Sequence, residues 1–245
     1  MEHVKLGNYN IFSSSLNDIS IDDSKKIINT INAHSYIVAK KDSTFKEALV
    51  KSDILLPDGE GIVWMVKSLK AKKIKKIAGA DIHDYLLSIS NKERLKCFYL
   101  GSSQNTLDLI QKKNSVKYPN VEFDFFSPPF KSVFSQQDNG EMISKINSFK
   151  PNILFVGMTA PKQEKWVYDN KENLEVDVIC CIGAVFDFIA ETKKRAPGWI
   201  INLKLEWLYR SFTAWRLTKR YIYSTPLFLL EVYKLKYFSK TDNNA

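Results

Sequence analysis

Six apolar runs interleaved with helix-like stretches constrain this chain more than anything else in its sequence. The runs are Lys26–Ile31, Ile54–Leu56, Lys96–Leu100, Val121–Phe125, Asn152–Val156 and Val178–Ile182. Several are apolar throughout rather than alternating, as strands are when both faces of their sheet are covered. Helical stretches fall at Ser43–Ser52, Gly61–Leu69, Asp81–Ser90, Ser103–Lys117, Gln137–Phe149 and Pro161–Asn170. This alternation predicts an α/β fold: an open, mostly parallel, Rossmann-like sheet with helices on both faces. After Pro197 the pattern changes. Helices are expected at Trp199–Arg210, Trp215–Tyr223 and Leu227–Phe238, with no strand between them. The boundary divides an α/β core, residues 1–197, from a helical C-terminal appendage, residues 198–245.

Charge separates the same two parts. The formal net charge is +9, and the segment from Lys193 to Lys240 carries eleven basic side chains against two acidic ones. That segment accounts for the whole excess, and it also holds eleven aromatic residues between Trp199 and Phe238. A neutral body with a basic, aromatic tail calls for an anionic partner near the tail. No apolar run reaches membrane-spanning length, and the opening residues MEHVKLGNYNIF lack a signal-peptide pattern. The expectation is a cytoplasmic protein. Cys97, Cys180 and Cys181 fall in apolar runs and read as buried strand thiols, and no Cys/His cluster has zinc spacing.

In open α/β sheets, ligands bind beyond the carboxyl ends of the strands, so the residues just after each run are the candidates. Thr30, Asn32, His34 and Ser35 follow the first run; they are ligand groups or a turn with a helix cap. Asp58 follows the second, between Pro57 and Gly59, as a turn residue or a catalytic carboxylate. The sequence GSSQNT after Leu100 opens a helix without the glycines of a dinucleotide fingerprint. Lys162, Gln163 and Lys165 lie in a first helical turn after Val156, able to reach a hydroxyl-rich or anionic ligand. Asp187 stands among apolar residues, where a carboxylate is costly unless paired or functional, and Lys193, Lys194 and Arg195 follow.

Seven motifs in order, TIN (30–32), LLPDGEGIVW (55–64), AGAD (78–81), PKQEKW (161–166), GAVFDFIA (183–190), KRAP (194–197) and LEWLYR (205–210), resemble the WecG/TagA/CpsF family of bacterial glycosyltransferases. The resemblance implies an inverting transfer of a sugar, N-acetylmannosamine or a related hexose, from a UDP-sugar to a polyprenyl-diphosphate-linked sugar. The products belong to teichoic acid linkage units, capsule, exopolysaccharide or common antigen. It implies Asp58 as the general base, with Thr30, Asn32, Gly59 and Gln163 around the sugar. Arg210, Arg216 and Arg220 are the candidates for the diphosphate, and Lys162 and Asp187 join the expected substrate-binding set. It also implies a metal-independent reaction without cofactor, and an appendage that docks on the inner face of the cell membrane. The chain departs from the family at Ala214-Trp215-Arg216, where many members carry Glu-Pro-Arg, and in the basic run Lys72–Lys76.

Two further readings compete. A non-catalytic scaffold of a polysaccharide assembly complex would share the family pattern. A nucleic-acid-binding protein would explain the basic tail but not the strand-end polar set, so no nucleic-acid partner is expected. The apolar tail also permits a homo-oligomer.

Overall fold

The computed structural model describes residues 1–22, 24–191, 197, 200 and 215–238. The strands are β1 (His3–Leu6), β2 (Tyr9–Phe12), β3 (Lys26–Ile31), β4 (Ile54–Pro57), β5 (Lys96–Gly101), β6 (Glu122–Phe126), β7 (Ile153–Gly157) and β8 (Val178–Cys181). They form one eight-stranded sheet in the order β1-β2-β4-β3-β8-β7-β5-β6. The β1–β2 pair is antiparallel and every other pair is parallel. The expected α/β architecture and all six expected strands are present.

The helices are α1 (Ala33–Ala39), α2 (Ser43–Val50), α3 (Glu60–Lys70), α4 (Gly79–Glu93), α5 (Gln104–Lys117), α6 (Gln136–Phe149), α7 (Lys162–Asn170), α8 (Val185–Ile189) and α9 (Trp215–Tyr237). Strand side chains alternate between faces, and the core divides accordingly. Ile28, Leu56, Tyr99, Phe155 and Cys180 pack with α4, α5 and α8 on one face. Ile31 and Leu55 on the other face pack with α1, α2 and α3, and Leu154, Val156 and Cys181 pack there with α6 and α7. All three cysteines are buried free thiols, as expected.

Helix α8 was not expected from the sequence, and three further elements differ from the expectation. The β1–β2 hairpin turns on Gly7-Asn8, with Gly7 at φ 59° and Leu6 paired to Tyr9. Two-residue turns of this type need positive φ, which glycine adopts without steric penalty. Helix α1 begins one residue after β3, where a loop was expected. Asn32 caps it: its Oδ1 accepts from Ser35 N–H at 3.0 Å while Ser35 Oγ accepts from Asn32 N–H at 2.7 Å. Finally, Trp215–Tyr223 and Leu227–Phe238 are one helix, α9, running through Pro226. Proline removes one helical hydrogen bond. The bond it removes would have reached Ile222, a residue on the exposed side of the helix.

Helix α9 packs one face onto the core. Phe228, 2% exposed, meets the Tyr36 ring edge-on at 5.7 Å. A Cβ added at Gly61 would lie 3.4 Å from the Phe228 ring. Lys40 pairs with Glu231 at 2.5 Å. The opposite face carries Ile222, Leu229, Leu230, Tyr233 and Tyr237, all exposed. Among the described residues no helix is long and apolar enough to cross a membrane.

Candidate active site

β3 and β8 are neighbours whose following helices, α1 and α8, leave on opposite faces of the sheet. Such a divergence opens a crevice at the strand ends. Asp58 stands beside it, one residue beyond β4. Its backbone N–H donates to Ile31 O at 2.9 Å, and Pro57 O accepts from Ile77 N–H at 3.0 Å. The loop carrying the carboxylate is thus held from β3 on one side and from the approach to α4 on the other.

Gly59 follows at φ 107° and caps α3 without a side chain. A Cβ there would lie 3.8 Å from Asn32 Cβ, so the β3 and β4 ends are in direct proximity. Asn32 sits at the start of α1 with its carbonyl oxygen committed to the cap. Thr30 is half-buried on β3, opposite Leu56 of β4. The structure therefore brings Asp58, Gly59, Asn32 and Thr30 together.

α9 adds a cationic group. Burial first, and then the charge of Arg220, hold the His34 imidazole down to about 4. His34 is two residues beyond Asn32, so Arg220 reaches the start of α1. The buried His34 Nδ1 has no hydrogen-bond partner.

The remaining expected residues lie apart from this group. Gln163 is buried at the β7 and β8 ends. Its Oε1 accepts from Met158 N–H at 3.2 Å, and its Nε2 donates to Glu164 at 2.8 Å. A Cβ on Gly183, just after β8, would lie 3.4 Å from Gln163 Oε1. Gln163 thus lies between the ends of β7 and β8. The Lys162 ammonium lies 3.5 Å from the centre of the Phe134 ring and donates to Lys131 O, so the β6–α6 loop engages it. Lys165 pairs with Asp42 of α2 at 3.0 Å. Asp187 lies partly buried on α8. In GSSQNT, Ser103 caps α5 and Ser127 Oγ donates to Ser102 O at 2.8 Å. Arg210, Lys193, Lys194 and Arg195 lie outside the described residues, and Arg216 falls in the first turn of α9 with its side chain outside them.

The sequence reading passed over Glu164. It is 3% exposed, burial pushes its carboxyl up to about 7, and Oε2 has no hydrogen-bond partner. One signal existed: Glu164 lies three residues before Val167, on the helix side that buries Trp166 and Val167.

The fold is that of a doubly wound α/β protein with a crevice at its strand ends. The profile of the "Glycosyl transferase WecG/TagA/CpsF family" matches residues 5–242, and the chain belongs to that family of glycosyltransferases. Among relatives, an N-acetylglucosaminyldiphosphoundecaprenol N-acetyl-beta-D-mannosaminyltransferase of Bacillus subtilis (strain 168) is 32% identical over 216 residues, 88% of this chain and 82% of the relative. A protein of the same description from Staphylococcus aureus (strain NCTC 8325 / PS 47) is 28% identical over 207 residues, 84% of this chain and 79% of the relative.

Proposed function

We propose that this chain transfers N-acetylmannosamine or a related hexose, with inversion, from a UDP-sugar to a polyprenyl-diphosphate-linked N-acetylglucosamine in cell-surface polysaccharide synthesis. The observation that carries the reading is the placement of Asp58. Its loop is hydrogen-bonded to Ile31 and Ile77, and its neighbour Gly59 has no side chain to obstruct a sugar. The relatives' descriptions name the acceptor and the donor sugar.

A sugar hydroxyl is a poor nucleophile until a base takes its proton. In this reading Asp58 accepts that proton as the oxygen attacks the anomeric carbon of the donor. The bond from that carbon to the diphosphate breaks on the opposite face, and UDP leaves with the electron pair. Asn32 and Thr30 orient the sugars beside the base. Arg220 offsets the growing diphosphate charge, with Arg210 and Arg216 assigned the same task. Gln163 is assigned a polar contact to the substrate. The reading includes no divalent metal.

The appendage fits a lipid-borne acceptor. α9 buries Phe228 and Val232 against the core and exposes a row of aliphatic and aromatic side chains on its other side, which suits peripheral docking at the inner face of the membrane.

The test is UDP release with a panel of UDP-sugars and a GlcNAc-diphosphate-lipid analogue, wild type beside Asp58→Asn. Acceptor-dependent release that survives EDTA and falls about 100-fold or more in the variant is expected. Unchanged turnover in the variant would remove Asp58 from the chemistry. No turnover with any donor would favour the scaffold.

A further inference from the structure

The geometry points to a second lipid-docking surface, beside α9: the outer side of α3 and the connector at residues 71–78 form a contact for anionic lipid headgroups. The inference takes from the proposed function that the acceptor lies in a membrane.

From Gly61 to Ala80 the chain has six lysines and no aspartate or glutamate. The connector does not hang free. Ile74 packs into the core on the side of α1, α2 and α3, whereas Ile77 packs into the core on the opposite face. The connector therefore crosses the edge of the sheet. The edge it crosses is the one with the strand ends. Lys72 Nζ reaches Glu2 Oε2 at 2.9 Å and Ser13 Oγ at 3.4 Å, just past β2, and Ile77 N–H donates to the residue before Asp58.

With Ile74 and Ile77 turned inward, Lys73 and Lys75 are exposed, and so are Lys67 and Lys70 at the end of α3. Trp64, one turn before Lys67 and Ser68, is 45% exposed. Indole and ammonium groups on one surface match the two layers of a bilayer interface, the indole at headgroup depth and the cations on the phosphates. A soluble polyanion would use the lysines and have no need of the indole. The surface is also continuous with α9, because Phe228 packs against Gly61 at the start of α3. Docking through both would bring the Asp58 edge to the plane where a lipid diphosphate emerges.

The experiment is flotation of the full chain with two kinds of vesicle, pure phosphatidylcholine and phosphatidylcholine mixed with phosphatidylglycerol. Wild type is compared with Lys67/Lys70/Lys73/Lys75→Gln and with Trp64→Ala. Every substituted side chain is exposed, and an unchanged Tm checks the fold. The quadruple variant should bind the anionic vesicles at least about tenfold more weakly, with a shallower salt dependence. Trp64→Ala should weaken binding to both kinds. Turnover on a short-chain, water-soluble acceptor should stay at the wild-type level in both variants. Wild-type binding equal on the two vesicles, or a quadruple variant that floats like wild type, overturns the inference. So does loss of turnover on the soluble acceptor, which would make the lysines substrate ligands. If no variant or wild type transfers sugar, the vesicle result still decides this surface, and the failure belongs to the proposed function.

Discussion

The side-chain amide of Gln163 donates a 2.8 Å hydrogen bond to Glu164 Oε1, while the other oxygen of that buried carboxylate has no hydrogen-bond partner. A half-satisfied buried carboxylate favours its protonated form, which is why burial raises the Glu164 pKa to about 7. The unfolded chain releases this proton near the ordinary glutamate value of 4.5. Between those two values the folded state holds more protons than the unfolded state, so the Glu164 contribution to stability falls as pH rises through this window.

Glu164→Gln keeps an oxygen for Gln163 and removes the titration. The stability of wild type relative to the variant should therefore drop by on the order of 3 kcal/mol between pH 4.5 and pH 8. Urea denaturation of both proteins at the two pH values measures it. A constant difference would mean that Glu164 is ionised in the fold at pH 4.5 or hydrated through a path to solvent.

Gly157 closes β7 against α8. A Cβ there would lie 2.4 Å from two ring atoms of Phe186, which is itself 1% exposed. Neither the strand nor the ring has space to retreat, so Gly157→Ala should destabilise the chain by about 3 kcal/mol. Adding Phe186→Leu should return part of that loss, giving a coupling energy of about 1 kcal/mol or more in the double-mutant cycle. Strict additivity in thermal melts would contradict this packing.

Continuous apolar runs made the parallel sheet legible, because burial on both faces leaves a strong sequence signal. Short half-exposed elements were harder to read. β1 alternates exposed and buried residues over four positions, too few for periodicity alone, although Gly7-Asn8 carried the turn signal. α1 is seven residues long, and its Asn32–Ser35 cap reads equally well as a turn. The expected break between Tyr223 and Leu227 spans Pro226, a helix-disfavouring residue, and sequence does not show that its side of α9 faces solvent. At the strand ends, turn chemistry marked Asp58, Gly59 and Asn32 as candidates but read equally well as a turn and a helix cap, and only the family motifs gave them a role. The contacts of Lys162, Lys165 and Gln163 were not legible, because their partners Phe134, Asp42 and Met158 come from distant or folded-back segments.

Gly59 adopts φ 107° and ψ 148°, a region closed to side chains other than glycine. The space for a methyl group exists, since the nearest atom would be 3.8 Å away, so the strain of Gly59→Ala is in the backbone alone. Relief of that strain must rotate the peptide after Asp58. The variant should lose about 1–3 kcal/mol of stability and at least about tenfold in turnover, because small displacements of a base are costly. Wild-type values in both melting and UDP-release assays would show that the loop accommodates alanine.

Phe228 is the main apolar anchor by which α9 meets the core, set between Tyr36 and the α3 N-terminus at Gly61. Truncating a buried phenylalanine typically costs about 3–5 kcal/mol. Phe228 shares its cluster with Ile11, Ile31 and Leu55 of β2, β3 and β4, whereas among the described residues the clusters around Phe155 and Leu154 contain none from α9. The loss should therefore fall on α9 rather than on the whole fold. In Phe228→Ala, amide exchange across residues 218–237 should accelerate by about 100-fold or more, while β5, β7 and β8 keep their protection. Arg220 would then leave the neighbourhood of His34, and the His34 pKa should rise from about 4 as that cation departs and water enters. An NMR titration of His34 follows this directly. Uniform loss of protection across the sheet would instead show that α9 is an integral part of the folding unit.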